Sequence, residues 1–593
     1  MFKECLDVFE LKLQKEGENI ILDEYIPADG SYLIVKKDGS VKCLDIKMDK
    51  KKRKIDKSDG DFLKICFYDY HSKLISMNKR IDPKKLIHSN NYLSFFVKKD
   101  SIKNKKLTNE IIDKYYDILK NPLEEKYMKN KKTKTSSQIY RNFEQKNGCI
   151  DLIQLEANRK WIKEHIFIID KLFVEIDMTR KDYLKIFFEE DEQIYEKENN
   201  RYILPNIYNK NEYNVNIEGD IYGIPDNNIT MNDNKPFLFI KTRKNSAGYL
   251  LDNKRVLLQK QFFDYLLNQA SIGKYNVYVD IKNNEINCYS DKEERKNSET
   301  IQSGYYLRIK KGKEELEIQS QDNIVDYKNK LNTYLEFKDI AGIRFNNVNG
   351  YDKNYTEYSS ETRVGIGRAI NDILFSKSLL NNYFVDVNDI SINDSVLKRS
   401  IITYRNLIFD WVYKGIDNNF AEAVDKFSID LIKNSVLNDN KIRGALQLNL
   451  RWSLQEYFNQ NKGGEKMADI VADLRKNMKE KILNKNEVIM PANDREYYYG
   501  IGQLMAYFIS LSKASKKTQS MINPVINAKV DRIIKDRLLQ LYKKYNYDML
   551  TNNYRVKNLY AMILGYKPEG KIDQEMILFG YMDNNLIYTK EEK

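Results

Sequence analysis

The chain has 593 residues, 42% of them hydrophobic, with 99 lysines and arginines against 86 aspartates and glutamates and a formal net charge of +13. One core rarely grows past about 250–300 residues, so several domains are expected. The apolar content and the nine prolines exclude a disordered chain, and the charged start MFKECLDVFELKLQKEG does not read as a signal peptide. No run of about eighteen apolar residues occurs that could span a membrane.

Residues 2–13 read as an amphipathic helix carrying Phe2, Cys5, Leu6, Phe9 and Leu13, stopped by Gly17. Lys37-Asp38-Gly39-Ser40 lies between the apolar runs 32–35 and 41–44. Asp-Gly tolerates positive φ, so this is a hairpin signal. A basic loop follows at 47–57, then a buried strand or helix segment at 92–97 and a helix at 108–120. The basic stretch 126–141 reads as a solvated loop. From about 160 to 310, short β-like runs (202–204, 237–240, 275–281, 305–309) alternate with helices such as 253–269. From about 361 strand signals vanish. Helical periodicity covers 395–416, 419–436, 440–459, 467–484, 497–515, 524–545, 553–565 and 571–580. The expected fold is therefore α+β in the N-terminal part, followed by an all-α C-terminal bundle. Its expected parts are 1–130, 131–360, 361–466 and 467–593.

The chain's only Gly-Gly pair, Gly463-Gly464, sits just before Met467. As protein it reads as a joint before a helix with Met467, Ile470, Val471, Leu474, Met478 and Ile482 on one face. As message, Gly463-Gly464-Glu465 can be encoded GGA-GGA-GAA. That is a purine-rich ribosome-binding sequence upstream of a second start at Met467. In the bundle after Met467, Lys513, Lys516, Lys517, Lys529, Arg532 and Lys535 form a basic flank, with Lys543 and Lys544 at a helix end. Asn523 is the expected N-cap, with Pro524 at the first helical position.

Catalytic signatures are sparse. No P-loop and no Gly-x-Ser-x-Gly occurs, and Arg363 to Arg368 (RVGIGR) reads as a turn before a helix. The cysteines (Cys5, Cys43, Cys66, Cys149, Cys288) and histidines (His71, His88, His165) show no metal-ligand spacing. Neither a cofactor nor a metal is expected, and a reducing cytoplasm suits scattered thiols. One nuclease-like arrangement remains, Asp280 and Lys282 at i, i+2 on a strand, echoed by Asp45 and Lys47. Binding chemistry is better represented. The loop 241–248 offers Lys241, Arg243, Lys244 and Asn245, donors suited to phosphates and base edges. Asn90 and Asn91 form a polar pair that reads either as a base-contacting site or as a turn. The positive charge suits a polyanion, although codons of an A/T-rich genome also favour lysine, so local clustering has to carry that inference.

The segments GENIILDEYIPADGSYLIV (17–35), DYHSKLISMNKRIDPKK (69–85), IHSNNYLSFFVKK (87–99) and KPFLFIKTRKNSAG (235–248) resemble the large subunit of type I-B CRISPR Cascade surveillance complexes of the Csh-type branch. The resemblance covers the first 250 residues in patches. It implies a non-catalytic, cytoplasmic subunit in antiviral defence, without a membrane role, bound to guide RNA and double-stranded target DNA. Its implied protein partners are the backbone, handle-binding and small subunits and a helicase-nuclease. The N-terminal α+β part is then expected near the guide's 5′ handle, inspecting the protospacer-adjacent motif (PAM). The C-terminal bundle is expected to line the displaced strand of the R-loop. In related complexes the small subunit is often made from inside the large-subunit message, which is why Met467 is an expected internal start. The competing readings are a metal-dependent defence nuclease using Asp280 and Lys282, and a scaffold protein without a nucleic-acid role.

Overall fold

The computed structural model describes residues 2–47, 59–128, 134–226, 250–291, 301–312, 316–344, 353–459, 466–512, 521–546 and 553–589. The chain forms two compact units, one of residues 1–290 with 303–325, the other of 291–302 with 326–593.

The first unit begins with α1 (Phe2–Glu16), α2 (Asn19–Leu22), β1 (Gly30–Val35), β2 (Val41–Ile46) and α3 (Gly60–Tyr70). It continues with β3 (Ser94–Lys98), α4 (Lys99–Lys103), α5 (Asn109–Lys120), α6 (Lys134–Asn147), α7 (Leu152–His165) and α8 (Ile169–Leu172). Then come β4 (Tyr183–Phe188), α9 (Glu192–Asn206), β5 (Val215–Ile217), β6 (Asp220–Tyr222), α10 (Asn253–Ser271), β7 (Asn276–Asp280) and β8 (Glu285–Tyr289). Most of β9 (Gln302–Lys311) and β10 (Leu316–Tyr327) completes it.

Its main sheet has the order β2-β1-β4-β3. The Asp38-Gly39 turn closes the β1–β2 hairpin, with Val35 opposite Val41 and Gly39 at φ +83°. On its other edge β1 pairs in parallel with β4, Gly30 facing Tyr183 and Val35 facing Phe188. Every residue of β1 is buried, as a strand covered on both faces requires. β4 also carries a charge inward. Lys185, 5% exposed, is bonded to Asp69 of α3, which is fully buried and also accepts from the Tyr25 hydroxyl at 2.6 Å. Burial pushes the Asp69 carboxyl up, but the Lys185 and Lys73 charges outweigh it and hold the group below the usual carboxylate range. A second sheet runs β10-β9-β7-β8. α1 packs its apolar stripe on α10, Phe9 lying 5.1 Å from Phe262 and 5.7 Å from Tyr265 between ring centroids.

The second unit holds β11 (Lys330–Leu335), α11 (Lys353–Tyr358), β12 (Ser360–Thr362), α12 (Arg363–Ala369), α13 (Ser395–Lys414), α14 (Phe420–Leu437) and α15 (Lys441–Asn459). It goes on with α16 (Met467–Leu483), α17 (Asp494–Ser510), α18 (Asn523–Ile526), α19 (Asp531–Tyr545), α20 (Tyr554–Gly565) and α21 (Gln574–Met582). After β12 no strand occurs among the described residues, so the α+β part followed by a helical part is as expected.

Several local expectations are corrected. Residues 202–204 are helical, the last turns of α9, because polar residues before them continue a helix that buries Tyr202 and Ile203. The stretch 134–147 within the basic 126–141 region and beyond is a helix, with Ile139, Tyr140 and Phe143 buried. Arg363–Ala369 is itself a helix capped by Thr362, in which Gly367 leaves room for Val412. The 524–545 helix is broken at 527–530. Asn523 lies inside α18 rather than capping it, and the stripe of α19 is Ile534, Leu538, Leu541 and Tyr545. Val530 and Ile533 are about half exposed, at 56% and 49%.

The boundary expected at 466/467 does not separate two cores. Ile340, Ile343, Ile432, Val436, Leu448 and Trp452 belong to the same buried cluster as α16, α17 and α21. Trp452 meets Phe579 edge-on at 5.4 Å, and its indole N–H and the Arg451 guanidinium both donate to Glu575. Gly444 sits against Met582, where a Cβ would come within 2.8 Å of the sulfur. Glu575, Phe579 and Met582 therefore form one stripe of α21 turned toward α15.

Candidate functional site

The expected PAM-reading loop, with Lys241, Arg243, Lys244 and Asn245, lies outside the described residues, as do Lys513, Lys516 and Lys517. Asn90 and Asn91 are placed differently from a base-contacting pair, being 1% and 2% exposed. Asn91 donates to the His71 carbonyl at 3.1 Å and to Asn90 Oδ1 at 2.8 Å. Asn90 donates to the Lys73 carbonyl at 2.7 Å and to Asn199 Oδ1 at 2.9 Å. These amides satisfy buried backbone at the end of α3, which corrects the surface reading of the pair and favours its turn reading.

Of the basic flank, Lys529 and Arg532 face solvent, Arg532 with 88% of its side chain exposed. Lys535 does not join them. Its ammonium pairs with Asp531 at 3.4 Å and donates to the Tyr566 carbonyl. Lys543 and Lys544 extend the exposed basic face at the end of α19.

The nuclease-like pair does not form. β7 ends at Asp280, and Lys282 lies in the following turn, so the two do not share a strand face. The Asp280 carboxylate is taken up by that turn, accepting from Lys282 N at 2.9 Å, Asn283 N at 3.0 Å and Asn283 Nδ2 at 2.8 Å. Asp45 is clamped by Arg180 at 2.6 Å. Met467 is the first residue of α16, and its backbone N–H donates to Glu456 at 3.1 Å.

The structure gathers one polar constellation that local spacing does not announce. Gly17, at φ +69°, ends α1 and turns the chain so that Glu18 precedes α2. His71 caps the C-terminus of α3, and Glu196 lies in the second turn of α9. One ligating atom from each of Glu18, His71 and Glu196 lies within 4.8 Å of the others. His71 is 3% exposed, flanked by Phe67 and Tyr70 at 4.4 and 5.0 Å between ring centroids. Its Nε2 is 2.7 Å from Glu18 Oε2, and Asn199 Nδ2 lies 3.4 Å from its Nδ1. The three side chains border a polar cavity of about 250 Å³, also lined by Tyr70, Asn199 and Lys260. Burial, then the Glu18 carboxylate, push the Glu196 carboxyl above its ordinary value, with His71 opposing. Histidine and carboxylate oxygens are ligands for borderline divalent ions. The ligands come from three separate elements, so no motif in the sequence brings them together.

No protein-family model, curated protein or solved structure matches the chain. No helix among the described residues is long and apolar enough to cross a membrane.

Proposed function

We propose that the chain is the non-catalytic large subunit of an RNA-guided Cascade complex of type I-B, acting in the cytoplasm. The observation that carries this reading is the convergence of the three described segments in which the sequence resembles that family. Segment 17–35 supplies Glu18 and β1, segment 69–85 supplies Asp69 and His71, and segment 87–99 supplies Asn90, Asn91 and β3. They meet at the Glu18–His71 contact, the Asn91–His71 hydrogen bond and the sheet in which β1 and β3 flank β4.

In this reading base pairing with the guide RNA reads the target, and the protein inspects only the PAM and holds the opened duplex. The α+β part takes the first task. The exposed cations Lys529, Arg532, Lys543 and Lys544 suit the second, because a single strand is followed through its phosphates. Backbone, handle-binding and small subunits and the recruited helicase-nuclease are the protein partners. A separate small subunit initiated at Met467 belongs to the same proposal, and such a product would need to cover the α21 stripe by docking.

The test is purification of the tagged full chain from cells carrying its own gene neighbourhood. The expected result is a stoichiometric assembly containing repeat-derived RNA and the other subunits. Recovery of the chain alone, or with unrelated RNA only, would overturn the proposal.

A further inference from the structure

We propose that Glu18, His71 and Glu196 form a binding site for a first-row divalent cation, Zn²⁺ above all, at the edge of the polar cavity bounded by the α1–α2 turn, α3 and α9. One imidazole nitrogen and two carboxylate oxygens are a donor set that zinc accepts, with a fourth position left for water from the cavity.

The geometry is close to what coordination needs. With metal–ligand distances of about 2.0–2.2 Å, tetrahedral ligands stand roughly 3.4 Å apart. The three ligating atoms already lie within 4.8 Å of one another. Glu18 and His71 have to open from 2.7 Å, while Glu196 has to close in. Glu196 is free to do so, because it is exposed and makes no hydrogen bond or ion pair among the described residues. Two carboxylates beside an imidazole supply anionic donors whose charge a dication offsets, while the cavity's lysine, Lys260, is already paired with Asp264 at 2.6 Å.

Binding would also reset a chain of amides. Asn91 donates to Asn90, Asn90 to Asn199, and the Asn199 amide to His71 Nδ1, which leaves the ring proton on Nε2 facing Glu18. A cation on Nε2 takes the place of that proton. The proton then sits on Nδ1, and Asn199 has to turn its carbonyl oxygen toward it. Asn90 keeps its other acceptor, the Lys73 carbonyl. The ion would thus fasten three elements and tighten the 71–73 turn on which Asn90 and Asn91 bear.

The experiment uses the full chain, stripped with a chelator and titrated calorimetrically with ZnCl₂, MnCl₂ and MgCl₂. Hydrogen exchange at residues 71–73 is followed in parallel. One Zn²⁺ per chain is expected, bound at least about tenfold more tightly than by E196Q or H71Q, with slowed exchange at 71–73. E164Q, an exposed carboxylate on α7, should bind as the parent does. No zinc binding, zinc binding that E196Q leaves unchanged, or Mg²⁺ binding as tight as Zn²⁺ would each overturn the proposal. H71Q alters a buried side chain; if it fails to fold, the exposed E196Q decides the question alone.

Discussion

A polypeptide starting at Met467 should be unable to stand alone as a well-folded monomer. Cutting the chain there removes α14 and α15 and uncovers Phe579 and Met582, which are 0% and 4% exposed in the whole chain. Phe579 keeps Tyr499 and Arg475 beside its ring, so exposing the two side chains costs at most about 1.5–3 kcal/mol each, an upper bound of roughly 3–6 kcal/mol. Glu575, in addition, loses both Arg451 and the Trp452 indole, and Arg475 loses the Ala341 carbonyl. The sum is comparable with the whole stability of an ordinary domain, about 5–15 kcal/mol. Fragment 467–593 expressed by itself should therefore self-associate or unfold noncooperatively in urea. A longer fragment beginning at Asp326, which restores Ile340, Ala341 and Ile343 as well as α14 and α15, should recover a sharp transition, and Trp452→Ala in the full chain should cost about 3–5 kcal/mol. A monomeric 467–593 fragment that melts cooperatively, at a denaturant concentration near that of the second unit, would refute the reasoning.

Other outcomes follow from particular side chains. Asp69→Asn leaves Lys185 buried without its counter-charge and should destabilise the first unit by about 3–5 kcal/mol in urea titrations. Because the folded-state pKa of Asp69 is depressed, its contribution is complete above about pH 4 and is lost as pH falls through the lower, folded value. Asp69→Asn should show less of that acid-side loss, and an unchanged slope would contradict the buried ion pair. Replacing Arg532, Lys543 and Lys544 together by Gln should flatten the plot of log affinity for single-stranded DNA against log salt by about two, at about 0.7 per phosphate contact; an unchanged slope would remove α19 from the strand's path. Incubation of the purified chain with duplex and single-stranded DNA plus Mg²⁺ or Mn²⁺ should give no cleavage, and cleavage abolished by Asp280→Ala would revive the nuclease reading.

Parts of this structure can be read from local sequence because local chemistry determines them. Asp38-Gly39 supplies the positive φ of the hairpin, and α13, α14, α15, α16 and α20 begin and end close to their periodic stretches. Thr108 and Asp394 cap their helices with side-chain acceptors, a local device of the kind these residue types provide. The central strand β4 is harder to read. YLKIFF carries a lysine in its middle, and only the distant Asp69 makes that lysine an interior residue. Asn90 and Asn91 read as solvent-facing or turn residues, because the Lys73 and His71 carbonyls they satisfy come from another segment. Glu18, His71 and Glu196 are similarly illegible, since each is ordinary in its own element and they meet only through tertiary folding. The break between α18 and α19 defeats periodicity, because the apolar residues on either side still keep helical spacing.

The parallel pairing of β1 with β4 sets an order on synthesis. A ribosome adds about 5–20 residues per second, so Phe188 follows Val35 after roughly 8–30 s. During that interval the sequence GSYLIV has a hairpin partner on one edge and none on the other. A nascent chain in this state carries an apolar strand edge competent to pair with a neighbour on the same polysome. Slow codons between 36 and 182 would lengthen the exposure, and holdase chaperones that recognise such edges would shorten its consequences. Yield in the cell should then depend on translation speed across that stretch more than on the stability of the finished protein.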